Sequence, residues 1–199
     1  MNHLEGGNHF DKHHSGNPAA RFLMRKFHDC LVRLVSNADP RRVLDAGCGE
    51  GYTTRFLEPA MVPGGFLVGM DRAPRTLRIA RRSCPEMPIF AGAAGDLPRP
   101  DGAFDLVIAC ELLEHLEKPR SALQEFRRVS RGLCLFSVPW EPTWRILNLT
   151  RGAYWKDWGN TPGHINHWSR NGFLNFLKPH FSTVTIHPCW TWTFALCRK

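Results

Sequence analysis

Residues 43–51 read Val-Leu-Asp-Ala-Gly-Cys-Gly-Glu-Gly, an apolar run that ends in an acid and passes into a glycine-rich turn. Glycine reaches positive φ without steric cost and lets a ligand approach the backbone, and a helix beginning near Tyr52 presents unpaired N–H groups beside the turn. A nucleotide-like ligand is expected there. The spacing is G-x-G-x-G, with Asp45 just ahead of it and Glu50 inside it, and departs from the G-x-G-x-x-G dinucleotide fingerprint. A pyrophosphate beside these carboxylates meets repulsion of about 4 kcal/mol per charge pair at ~4 Å and an effective dielectric of about 20. A ligand carrying an ammonium or a sulfonium is attracted instead.

The elements that must position this turn follow from the alternation of short apolar runs with longer amphipathic stretches, the pattern of repeated β-α units on a mostly parallel sheet. Arg42–Ala46, Phe66–Met70, Pro88–Ala91, Phe104–Ala109 and Leu133–Val138 are the strand candidates, each bounded by Gly, Pro or Asp. Helices are expected at about Tyr52–Leu57, Pro74–Arg82, Leu112–Leu116 and Pro119–Ser130, preceded by an amphipathic helix at about Ala19–Val35. Ser182–Pro188 and Thr191–Cys197 are close enough to pair as an antiparallel hairpin. The fold class predicted is α/β, a Rossmann-like, doubly wound, seven-stranded, mostly parallel sheet with an antiparallel last strand. One domain is expected over 1–199: an N-terminal arm and helix (1–40), a ligand-binding core (41–138), an aromatic insert and helix (139–180) and a C-terminal hairpin (181–199).

With these motifs in place, the chain from about Arg41 to Cys197 resembles the class I methyltransferases that use S-adenosylmethionine (SAM), in particular the large bacterial type 11 group. VLDAGCGEGYTTRFL is similar to that family's first motif. Asp71, 20 residues past Gly51, stands where the family places an acid that accepts both ribose hydroxyls, and FDLVIACELLEHL resembles its fourth strand and the turn that follows. The resemblance implies a SAM site at Asp45, Ala46, Gly47, Cys48, Gly49, Asp71 and Arg72, with Cys110 at the methionine end and S-adenosylhomocysteine as product. It also marks a departure. The family often carries Gly-Asp-Ala a few residues before Leu-Pro, its Asp accepting from the adenine amino group. Ala93 stands there, leaving the backbone of Ala93 and Ala94, or Asp96 after a shift of the loop, to meet the adenine edge. One lost hydrogen bond to an exocyclic amine costs only about 1 kcal/mol net.

Methyl transfer from a sulfonium is an in-line displacement, in which the enzyme positions the acceptor and, for a hydroxyl, removes a proton. His115, directly after the fourth strand at the sheet's C-terminal edge, is the candidate catalytic base or orienter. On a helix, Glu111, Glu114 and His115 share one face at i, i+3 and i+4. With His164 or His167 they make a two-Glu, two-His set, similar to metal-dependent RNA 2′-O-methyltransferases and some quinone-biosynthesis O-methyltransferases. Glu-x-x-Glu-His is common in relatives that use no metal, and none is assigned. Residues 139–168 hold five of the seven Trp, and with Arg145, Arg151 and Lys156 they read as a lid or as core. His13 and His14 read as part of a closing arm or as a solvated tail. Arg72, Arg75, Arg78 and Arg82 lie near one helical face, which is the solvated side of a surface helix or an anion stripe.

Composition bounds the rest. The 26 Lys+Arg against 18 Asp+Glu give a net charge of +8, suggesting an acidic partner. The seven scattered cysteines, without a C-x-x-C pair, read as reduced and buried, and neither a zinc knuckle nor a disulfide framework is expected. No apolar run approaches the ~18 residues of a membrane span and no signal-peptide pattern opens the chain, so a cytoplasmic protein is expected. The acceptor expected is a small or lipid-like molecule methylated at oxygen, with nucleic acid unfavoured. The alternatives are a metal-assisted RNA methyltransferase and a SAM-binding module without catalysis.

Overall fold

The structure is a computed structural model that describes residues 17–150, 152 and 154–199. His13, His14, Arg151 and the Lys156 side chain, each named above in a substrate-closing role, lie outside the described residues.

Asn17 accepts a hydrogen bond from the Ala19 N–H and opens helix α1 (Pro18–Ala38), with proline in the first turn, where no N–H is needed. The chain then alternates through β1 (Arg42–Ala46), β2 (Phe66–Asp71), α2 (Pro74–Ser83), β3 (Ile89–Ala91), β4 (Phe104–Cys110), α3 (Pro119–Val129) and β5 (Ser130–Pro139). It closes with α4 (Thr143–Thr150), α5 (Arg170–Leu177), β6 (Thr183–Cys189) and β7 (Trp192–Arg198). The seven strands form one sheet in the order β3-β2-β1-β4-β5-β7-β6. β1 to β5 are parallel, and β7 runs antiparallel to both β5 and β6. The order reverses between β1 and β4, and in open α/β sheets the crevice at such a switch point, outside the carboxyl ends of the strands, is where ligands bind.

The pleat of the sheet divides the core. Leu106 and Ile108 of β4 point to one face and pack with Phe27, Leu31, Leu34 and Val35 of α1. Val107 and Ala109 point to the other and meet Phe126 of α3 and Phe173 and Leu177 of α5. Both faces are covered, which is why β4 and β5 read as near-continuous apolar runs. The seven cysteines are free, five of them buried.

Two expected helices are 3-10 turns instead. The stretch after the glycine loop forms Thr54–Phe56 and Glu58–Ala60, because Pro59 lacks the N–H that a continuing α-helix needs. The segment after β4 holds only Leu113–His115, bounded by Glu111 at φ 55° and by Pro119, which turns the residue before it away from helix. The sequence reading that put Glu111, Glu114 and His115 on one helical face is thereby corrected.

Candidate active site

The β1–β2 register pairs Ala46 with Met70, so the turn after β1 lies beside the end of β2. The Gly47 and Cys48 N–H groups both donate to the Met70 carbonyl, at 2.7 and 2.9 Å, folding the turn over that end. Gly47 and Gly49 have φ of 79° and 54°, the left-handed region that side chains rarely adopt. At Gly49 a Cβ would meet nothing within 4 Å, so the space beside it is open to a ligand.

Two carboxylates flank this cradle. Asp45 is buried, and its Oδ2 accepts the Thr54 hydroxyl at 2.6 Å. Burial pushes its carboxyl up to about 6; the Thr54 hydrogen bond opposes that rise and the negative Asp71 adds to it. Asp71, at the end of β2, accepts from the Gly49 N–H at 3.0 Å, the Ala73 N–H at 2.8 Å and the Thr76 hydroxyl at 3.2 Å. One acid therefore ties the glycine turn to the start of α2. Cys48 and Cys110 have thiols raised by burial first and by neighbouring carboxylates next, so neither is a thiolate nucleophile.

The next strand end supplies the remaining sequence candidates. After β3, the Asp96 N–H donates to the Ala93 carbonyl at 3.1 Å, closing a tight turn that carries Ala93 and Ala94, with the Asp96 side chain exposed. Arg72 is exposed beside Asp71, and the arginines of α2 lie outside its buried face of Thr76, Leu77 and Ala80.

His115 lies after β4. Its Nδ1 is 2.9 Å from the Gly163 carbonyl, which only accepts, so Nδ1 carries a proton, and in the neutral form of the ring Nε2 is the acceptor. His164 stands edge-on to it, with ring centroids 4.9 Å apart, and is itself buried. Glu114, His115 and His164 offer ligand atoms that all lie within 4.8 Å of one another. Glu111 and His167 fall outside that group: Glu111 precedes the turn, and His167 Nδ1 lies 3.7 Å from Glu141.

The sequence reading missed what joins these two segments. Asn166 donates from its side chain to the Leu113 carbonyl at 3.1 Å and the Leu116 carbonyl at 2.7 Å, while the N–H groups of Ile165 and Asn166 both donate to the Glu114 carbonyl. An Asn in an aromatic, Pro/Gly-broken stretch carries no signal of its own for a contact some fifty residues away. Asn166→Ala takes a donor from two partly buried carbonyls, of which Leu113 still accepts from the Leu116 N–H, and is expected to cost about 1–3 kcal/mol in urea unfolding. A loss below a few tenths would contradict this bracing role.

The Trp-rich insert is neither all core nor all surface. Trp144 is buried against Trp192 and donates to Thr161, whereas Trp155 and Trp158 are 68% and 80% exposed. Trp140 lies under the Arg170 guanidinium at 3.6 Å, and Trp168 packs on Phe173 and Phe176.

The chain is similar to known methyltransferases. Residues 44–136 match the model of a methyltransferase domain of type 11. A probable S-adenosylmethionine-dependent methyltransferase of Mycolicibacterium smegmatis is 33% identical over 120 residues, covering 59% of this chain and 46% of that protein. The malonyl-[acyl-carrier protein] O-methyltransferase of Serratia marcescens is 31% identical over 122 residues, 60% of this chain and 47% of that one. The chain thus spans about half the length of these curated relatives. Among solved structures, the PH0226 protein of Pyrococcus horikoshii superposes with a TM-score of 0.71 at 19% identity, covering 92% of both chains. That likeness is one of fold.

Proposed function

The chain carries a class I methyltransferase domain of type 11 over residues 44–136, and from that premise we propose that it transfers a methyl group from SAM to a small or lipid-like acceptor, at oxygen. The observation that carries this reading is the pairing of a buried carboxylate, Asp45, with an open glycine cradle tied to Asp71. The residues fit SAM on two counts. A carboxyl already raised by burial regains its charge when a cation is placed against it, and Gly49 leaves room where a Cβ would stand.

When bound, SAM supplies an electrophilic methyl group on a sulfonium. In this reading Asp45 holds the ammonium of its methionine part, Asp71 accepts the ribose hydroxyls, and the backbone of Ala93 and Ala94 meets the adenine edge. Cys110 closes the methionine end as a small neutral side chain. With Gly163 accepting from Nδ1–H, Nε2 is the nitrogen without a proton in the neutral ring of His115. His115 Nε2 would take the proton of an acceptor hydroxyl during the transfer. The test is transfer of labelled methyl from SAM to phenolic, quinol and fatty-acyl acceptors; labelling of nitrogen or carbon nucleophiles alone would overturn the assignment to oxygen.

A pH dependence follows from Asp45. A bound cation favours the ionised carboxylate, so binding releases a proton whenever Asp45 starts protonated. SAM affinity is therefore flat above neutrality and falls as the pH drops through about 6, by up to about tenfold per further unit. Affinity that stays constant from neutrality down past that point, measured by calorimetry, would contradict the role given to Asp45.

The cluster of Glu114, His115 and His164 favours one second reading, a divalent metal held by those side chains. The Gly163 carbonyl on His115 Nδ1 matches the outer hydrogen bond that metal-bound histidines make, and the ion would supply Lewis-acid polarisation there. Activity unaffected by EDTA and by added Mn²⁺ removes this reading; loss with EDTA and recovery with Mn²⁺ establishes it.

A further inference from the structure

Helix α1 ends four residues before β1 begins, and its residues from Arg21 to Arg33 share a groove with Tyr52, Arg55 and Phe56, just past the glycine turn. Arg21, Arg25 and His28 recur there at i, i+4 and i+7 and line one stripe of the helix. Facing them are Tyr52, Arg55 and Phe56, directly after the turn. A groove of about 550 Å³ lies between the two segments. Apolar and aromatic side chains also line it, Met24, Val32 and Phe56, with the His28 ring stacked on Phe56 at 3.8 Å. The Arg55 guanidinium lies 5.5 Å over Tyr52.

The charges around this groove are unbalanced. Arg21, Arg25, Arg33 and Arg55 line it against one carboxylate, Asp29, which stands 4.0 Å from the Lys26 ammonium. Among the described residues, none of those four arginines has a carboxylate within ion-pair distance. Gathering like charges without counter-charges raises the local potential, which a multivalent anion lowers most. Guanidinium forks match phosphate oxygens in geometry, and a monovalent carboxylate would use only one of them.

We propose that this groove binds a phosphorylated ligand, its phosphate or diphosphate held by Arg21, Arg25 and Arg55 and its apolar body laid along Met24, Val32 and Phe56. None of Asp45, Asp71 and His115 lines this groove, so the proposal does not depend on whether methyl transfer occurs. It also gives the basic balance of the chain a place.

The test is calorimetric titration of the full chain with inorganic pyrophosphate at fixed ionic strength, with and without SAM. The double variant R25E/R55E is expected to weaken pyrophosphate binding at least about tenfold and to leave SAM affinity within about twofold. The control R78E/R82E makes the same change in net charge on α2 and is expected to leave pyrophosphate binding within about twofold. Equal weakening in both variants, no binding of pyrophosphate to the unmodified chain, or displacement of SAM by pyrophosphate overturns the proposal. Sedimentation with phosphatidylcholine vesicles, with and without phosphatidic acid, separates the two sources of the phosphate. Binding to acidic vesicles that R25E/R55E loses assigns a lipid headgroup, and pyrophosphate binding without vesicle binding assigns a free phosphorylated molecule.

Discussion

Asp71→Ala is expected to weaken SAM binding by about a hundredfold or more. Two losses combine. In the proposed complex the carboxylate accepts both ribose hydroxyls, and charge-assisted hydrogen bonds contribute about 1.5–3 kcal/mol each. The same carboxylate already accepts from the Gly49 N–H, the Ala73 N–H and the Thr76 hydroxyl, so its removal also frees the glycine turn from the start of α2. Asp71→Asn keeps the shape and one acceptor oxygen and should fall between the two. Calorimetric titration of the three proteins, with urea unfolding to confirm that each is folded, checks this order. An affinity of Asp71→Ala within about threefold of the unmodified chain would show that the cradle is not the cofactor site.

His115→Ala is expected to lower kcat by about 10²–10⁴ while leaving SAM affinity within about twofold. The ring sits on the segment after β4 rather than in the glycine turn, and the tautomer set by Gly163 presents Nε2 as a proton acceptor. Its loss should therefore act on the chemical step and abolish the acid limb of the pH–rate profile, which reports protonation of the base. A lower kcat with that limb intact would make His115 a positioning residue. Unchanged kcat would remove it from the mechanism.

Where sequence and structure agree, one-dimensional patterning was enough. β1 spans Arg42–Ala46 as its apolar run predicts, and β4 extends one residue further, to Cys110. Both strands are buried on two faces, so their hydrophobic runs carry little ambiguity. The hairpin of β6 and β7 also forms, with its turn at Trp190-Thr191, shifted by one residue because Cys189 pairs with Trp192 and Trp190 takes φ 50°. The helices near ligand-binding loops were less legible. Residues 52–57 and 112–116 have helical composition, but a proline downstream and a left-handed Glu111 shorten them to 3-10 turns.

The candidate site divides the same way. Asp45, Gly47, Gly49 and Asp71 belong to local motifs at strand ends, so their type and spacing announce them. The placing of Gly163, His164 and Asn166 against Leu113–Leu116 depends on how a long connection returns across the sheet edge, and no local periodicity encodes that return. Glu111 was wrongly grouped with Glu114 and His115 for the same reason: the grouping assumed helix where the backbone reverses. The arginine groove arises between segments about thirty residues apart, and the stripe on α1 only gains meaning once Arg55 is seen to face it.

The central claim is that the turn after β1 holds SAM, and calorimetric titration of the full chain with SAM and with S-adenosylhomocysteine tests it most directly. The expected result is one-to-one binding of both in the micromolar range, tighter at pH 7.5 than at pH 5.5 by about threefold or more. No heat at millimolar concentrations of either compound would contradict the account.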